Sequence, residues 1–217
     1  MAGFVILFSI STWNRNKVWQ NSISLFTDII NKYPDEYYAY KARGEVNYHK
    51  RNFAEAIKDY DRAIKIFPAY ERAYYLRGLS KAMLNNLSDA IVDFDKTIEL
   101  NPTFPDVYNF RALANLYLQN YRLAIDDWNK AIKLNPNYVE ALNSRGFAKY
   151  SMHDYKGALA DYEKSLEIDP NYAKAYFNRG LIEIQTNELE KACLDWEKSY
   201  LLGYEPAREM LQKNCNQ

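Results

Sequence analysis

The sequence of 217 residues is short of helix-breaking residues, with only 7 Gly and 7 Pro. That is low for a loop-rich or all-β chain. It has two cysteines, Cys193 and Cys215, and two histidines, His49 and His153. Two thiols make no disulfide framework, and no CxxC spacing suggests zinc. Cys193 is expected as a small buried apolar residue and Cys215 as a loose tail thiol. Net charge is also lacking: Lys plus Arg and Asp plus Glu both total 28. A phosphate-binding surface usually needs a basic excess, which weighs against nucleic acid as a partner. The sequence has no Ser/His/Asp grouping, Gly-rich phosphate loop or HExxH motif, so no catalytic residue, cofactor or metal is expected. Adjacent carboxylates such as Asp126 and Asp127 point apart on a helix and read as a solvated face. The histidines read as surface residues in or beside turns.

What the sequence does have is periodicity. Pro34, Pro68, Pro102, Pro136 and Pro170 recur every 34 residues. Ala56, Ala90, Ala124, Ala158 and Ala192 keep the same step, as do the small residues Gly44, Gly78, Ala112, Gly146 and Gly180. An aromatic ladder, Tyr60, Phe94, Trp128, Tyr162 and Trp196, shares the register. Each period reads as two helices. In the fourth, the pattern predicts helices over about 139–150 and 155–167, with a polar turn at Ser151–Asp154. The residue before each Pro is pushed out of the α region and stops the second helix. Asn85-Asn86 suits a helix end because Asn tolerates the left-handed conformation. Gly inside a helix costs about 1 kcal/mol against Ala, so its recurrence points to close helix packing. The aromatic, four residues after the Ala, falls on the same face and fills the gap between helices.

Two charged ladders run beside these positions: Arg43, Arg77, Arg111, Arg145 and Arg179, and Asp59, Asp93, Asp127, Asp161 and Asp195. Because opposite charges repeat together, the ladders are expected to pair as a structural staple, within a repeat or between neighbours. Such pairs fix register more than they add stability. A basic stripe for an acidic ligand is the alternative reading.

This combination of small, aromatic and Pro positions resembles the tetratricopeptide repeat over residues 35–204, five units: 35–68, 69–102, 103–136, 137–170 and 171–204. Thr97, Ser165 and Ser199 stand where the family usually has a second Ala, and Tyr204 replaces the last Pro. The resemblance implies an all-α, right-handed superhelical solenoid of antiparallel helix pairs. It implies a concave groove lined by the first helices that binds a peptide or protein, and no enzyme activity. The expected lining is Tyr38, Lys41 and Glu45; Arg72 and Tyr75; Asp106 and Asn109; Glu140 and Asn143; Lys174 and Phe177. Tyr38, Tyr75 and Phe177 would be flat apolar anchors, and Asn109 and Asn143 would hydrogen-bond an extended backbone. An ordinary solvated surface is the competing reading of these positions. Only Lys41 matches the carboxylate clamp of chaperone-tail-binding members, and Glu45 stands where Asn belongs, so no such clamp is expected. The RNA-binding pentatricopeptide pattern fits less well, having a 35-residue period and a basic surface.

The ends depart from the repeat. Residues 17–34 read as the second helix of a decayed unit, with Phe26 and Pro34 in register and Ser22 in place of Ala. Before them, residues 3–10 are almost purely apolar, yet shorter than the roughly 20 residues that span a bilayer. They read either as a cap on the first unit or as the tail of a membrane segment, with Trp13, Asn14 and Arg15 at its boundary. Residues 12–19, followed by Leu25-Phe26 and Pro34, resemble the membrane-to-repeat junction of multi-pass glycosyltransferase-like proteins. On that reading the chain is a soluble appendage of a larger membrane protein. The compartment, cytoplasmic or membrane-attached, stays open. Exposed Tyr and the apolar start leave self-association open too. At the other end, Gly203 suits a helix C-cap, and Glu205-Pro206 opens a capping helix. Its apolar face is Ala207, Met210 and Leu211, in a segment 205–217 that shields the last repeat from water.

Overall fold

A computed structural model describes residues 22–215. The apolar stretch at 3–10 and the proposed membrane junction lie outside the described residues. Every described element is α-helical, and the chain divides into two compact units, one ending at Pro102 and the other starting at Thr103. The first unit holds α1 (Ser22–Lys32), α2 (Tyr37–His49), α3 (Phe53–Ile66), α4 (Glu71–Met83) and α5 (Leu87–Leu100). The second holds α6 (Pro105–Tyr117), α7 (Tyr121–Leu134), α8 (Val139–Ser151), α9 (Tyr155–Ile168), α10 (Ala173–Gln185), α11 (Leu189–Leu201) and α12 (Pro206–Asn214). Consecutive helices form antiparallel pairs: α2/α3 and α4/α5 in the first unit; α6/α7, α8/α9 and α10/α11 in the second. α1 packs on α2, and α12 packs on α11. Among the described residues, no helix is long and apolar enough to cross a membrane.

The packing follows from the ladders. Tyr60, Phe94, Trp128, Tyr162 and Trp196 are all fully buried, each contributing roughly 2–3 kcal/mol by burial. Their space is left by the small residue of the partner helix. A methyl added at Gly44 would sit 2.6 Å from the Tyr60 ring, at Gly78 2.7 Å from Phe94, and at Gly180 2.5 Å from Trp196. The glycines therefore serve interhelical approach. Thr97, Ser165 and Ser199 are also fully buried. Thr97 donates to the Asp93 carbonyl (2.9 Å) and Ser199 to the Ala173 carbonyl (2.8 Å), which lets a hydroxyl replace a methyl in the core. Each hairpin turn places one residue in the left-handed region: Arg51, Asn85, Gln119, His153 and Asn187, with φ of 62–63°. Only two are Asn, so the repeat's geometry imposes the conformation on side chains that resist it.

Every ladder arginine bonds the aspartate sixteen residues on, within its own repeat. Arg77 grips Asp93 through Nε (3.0 Å) and Nη2 (2.5 Å), the bidentate fork that guanidinium makes with a carboxylate. The third nitrogen often reaches back. Arg43 Nη1 donates to Thr27 (3.1 Å), Arg77 Nη1 to Asp61 (2.5 Å) and Arg145 Nη1 to Asn129 (2.7 Å), again sixteen residues away. One guanidinium thus ties its own hairpin to the one before. The aspartates are 1–7% exposed, so loss of the cation would strand a buried charge.

The cysteines correct a reading made from the sequence. Cys193 and Cys215 form a disulfide, with Cα atoms 5.8 Å apart, rather than a buried thiol and a free one. Their separation of 22 residues carries no signal until α12 folds back along α11. The bond then locks the cap over Ala192 and Trp196, beside Met210 and Leu211.

Two measurements test these assignments. Replacing both cysteines with alanine is expected to lower unfolding free energy by about 3 kcal/mol, the effect of a loop this size, in urea melts followed by circular dichroism. Arg43→Met is expected to cost about 3 kcal/mol because Asp59 is left buried, and adding Asp59→Leu should recover most of it. A double-mutant cycle without coupling would remove the staple.

Candidate functional site

The face opposite the packing positions belongs to the first helices of each repeat. In the first unit, Tyr38 stands 56% exposed. Lys41 lies 5.1 Å from its ring centroid and pairs with Glu45 at 2.7 Å. The three form one continuous patch along α2, in which Glu45 holds the lysine against the tyrosine ring. Arg72 is exposed and covers the Tyr75 ring at 5.2 Å. Tyr75 itself is only 5% exposed and packs on Phe94. It was expected as an open anchor; the arginine on one side and α5 on the other bury it.

In the second unit, most of the expected lining is turned inward. Asp106 accepts from the Tyr138 hydroxyl at 2.9 Å. Asn109 is buried, and its Oδ1 accepts the Trp128 indole N–H at 2.9 Å. Asn143 is buried, with Oδ1 accepting from Asn178 Nδ2 at 3.0 Å. These amides satisfy other side chains of the unit, which the sequence alone did not suggest. Phe177 rests against Tyr204, ring centroids 5.1 Å apart, and its carbonyl accepts the Trp196 N–H at 3.2 Å. Glu140 and Lys174 of this set stand in solvent.

The open apolar side chains lie one helical turn further along the same stripe. They are Phe147 on α8, 38% exposed, and, a turn beyond the half-buried Leu113 on α6, Tyr117, 75% exposed; Leu181 on α10 is half-buried and packs against the core under the cap. The sequence reading missed this row. Its signal is a further ladder at the 34-residue period: Leu79, Leu113, Phe147 and Leu181, after Glu45 in the first repeat. Neighbouring first helices are joined at this face by the Tyr138–Asp106 and Asn178–Asn143 hydrogen bonds. Among the described residues, no group of three or more His, Cys, Asp or Glu could hold a metal ion.

Family models for the tetratricopeptide repeat match residues 37–70, 139–172 and 161–193, and a TPR repeat model matches 114–153. Among solved structures, MamA superposes with a TM-score of 0.69 at 26% identity, over 76% of this chain and 96% of that one. A tetratricopeptide repeat protein from Parabacteroides merdae gives 0.65 at 26% identity, over 94% and 80%. YrrB, described as a TPR protein with an unusual peptide-binding site, gives 0.70 at 21% identity, over 86% and 97%, a likeness of fold. No curated protein matches the sequence.

The buried amides have a testable consequence. Asn109→Ala leaves the Trp128 indole N–H buried without its acceptor and is expected to cost about 1–3 kcal/mol. Thermal unfolding measures it; an unchanged midpoint would return Asn109 to the free surface.

Proposed function

The chain belongs to the tetratricopeptide-repeat family, and from that premise we propose that it is a non-enzymatic scaffold that holds a peptide or extended protein segment on the first-helix face of its second unit. The observation that carries this reading is the pair of exposed aromatics, Tyr117 and Phe147, in one row with Leu113 and Leu181. Packing does not explain these rings, because the opposite face of each first helix already fills the core. Flat rings on rigid helices lose little side-chain entropy on binding and suit contact with apolar side chains of a ligand. Lys174, at the start of α10, gives the same unit a cationic contact for a ligand carboxylate. In the first unit, the Tyr38–Lys41–Glu45 patch offers a smaller contact of mixed character. Protein-binding relatives of the same fold support the class of partner. YrrB, a TPR protein with a peptide-binding site, is a precedent within the same fold.

The test is selection of peptides from a displayed library on the immobilised chain, followed by calorimetry with a selected peptide. Phe147→Glu is expected to weaken binding by about tenfold to a hundredfold, the loss of one buried aromatic contact, with the helical circular dichroism unchanged. Failure to enrich any peptide, or binding indifferent to Phe147→Glu and Tyr117→Glu, would sink the reading.

A further inference from the structure

The last repeat differs from the others at one position beside its Arg–Asp pair. One turn after each ladder arginine stand Asn47, Lys81, Asn115, Lys149 and Glu183. Where the contact is seen, this residue donates to the buried aspartate: Asn47 Nδ2 to Asp59 (3.2 Å), Lys81 Nζ to Asp93 (2.8 Å), Lys149 Nζ to Asp161 (2.8 Å). In the fifth repeat, both Asp195 oxygens already accept from Arg179, at 2.7 and 2.8 Å. Beside them comes a second acid instead of a donor. Glu183 Oε2 is buried and has no hydrogen-bond partner. A carboxylate cannot donate; a carboxylic acid can.

We infer that Glu183 is a proton-dependent latch: protonated, it donates to Asp195 and closes the last repeat as Asn47 or Lys149 closes an earlier one; ionised, it repels Asp195 and loosens α10 from α11. The charges around it fit this role. Arg179 on α10 is the adjacent cation on the same helix, and it is engaged by Asp195. Asp195 on α11 and Glu188 in the preceding turn add negative charge. Lys191 on α11 is held by Glu188. On the flanking α8, Arg145 and Lys149 are spent on Asp161, and on α9, Lys164 is paired with Glu167. On α12, Arg208, Glu209 and Lys213 are exposed.

Burial, then the Asp195 charge, pushes the Glu183 carboxyl up to about 7, with Arg179 opposing. An acid held above its unfolded value binds its proton more tightly when folded. Its stabilisation is therefore complete at low pH and lost as pH rises from about 4.5, the unfolded value, to about 7.

Amide hydrogen exchange, read as protection factors for α10–α12 between pH 5 and pH 8, tests the latch. Wild-type protection is expected to fall about tenfold across this range. Glu183→Gln supplies a neutral donor and should flatten the profile. A carbon-13 titration of the Glu183 carboxyl gives the second reading, and Asp195→Asn should lower its midpoint. Parallel pH profiles for wild type and Glu183→Gln, or a Glu183 midpoint in the ordinary carboxylate range, would overturn the inference.

Discussion

The structure depends on a half-buried guanidinium that bonds in two directions. Through Nε and Nη2 it fixes the two helices of its own repeat, as in Arg77 with Asp93. Through Nη1 it reaches the second helix of the repeat before, as in Arg77 with Asp61. A planar fork with five donors can serve both partners at once; a lysine ammonium cannot do so with the same geometry. Hydrophobic burial supplies most of the driving force, but it is indifferent to register. The directional bonds set which turn of one helix meets which turn of the next.

Around that hub each repeat solves the same packing problem with different residues. A ring on the second helix needs a glycine opposite it, because a methyl would come within 2.5–2.7 Å at Gly44, Gly78 and Gly180. The third repeat carries Ala112 instead and turns the Trp128 indole toward Asn109. That choice uses an amide expected from the sequence to stand open. Core chemistry and surface chemistry are therefore coupled, and the exposed rings on these helices are Tyr117, two turns beyond Asn109, and Phe147, one turn beyond Asn143. The last repeat carries two features of its own: an acid in the donor position at Glu183, and a disulfide holding the cap. Both sit in the fifth repeat, against the capping helix α12.

Much of the fold was legible because a repeat multiplies every signal. The helix limits expected for the fourth unit agree with α8 and α9 to within a residue at each end, since Pro136, Pro170 and the turn at 151–154 punctuate the chain. The left-handed residue of that turn, His153, was read as a turn residue, although its conformation becomes visible only beside its equivalents Asn85 and Asn187. The face was read less well. Tyr75, Asn109 and Asn143 were expected to stand open and are buried, because periodicity gives direction and not depth. Whether a side chain at a given angle meets water depends on the bulk of its neighbours: Arg72 over Tyr75, Trp128 against Asn109, Asn178 against Asn143.

The sequence by itself determined the helix pairs, their 34-residue period and the alternation of small and large residues between them, because those properties repeat along the chain and need only local geometry. Tertiary structure alone decided the Cys193–Cys215 bond, the backward reach of the arginines and the meeting of Glu183 with Asp195. Each of these joins atoms on different helices, and their distances exist only once the helices have packed.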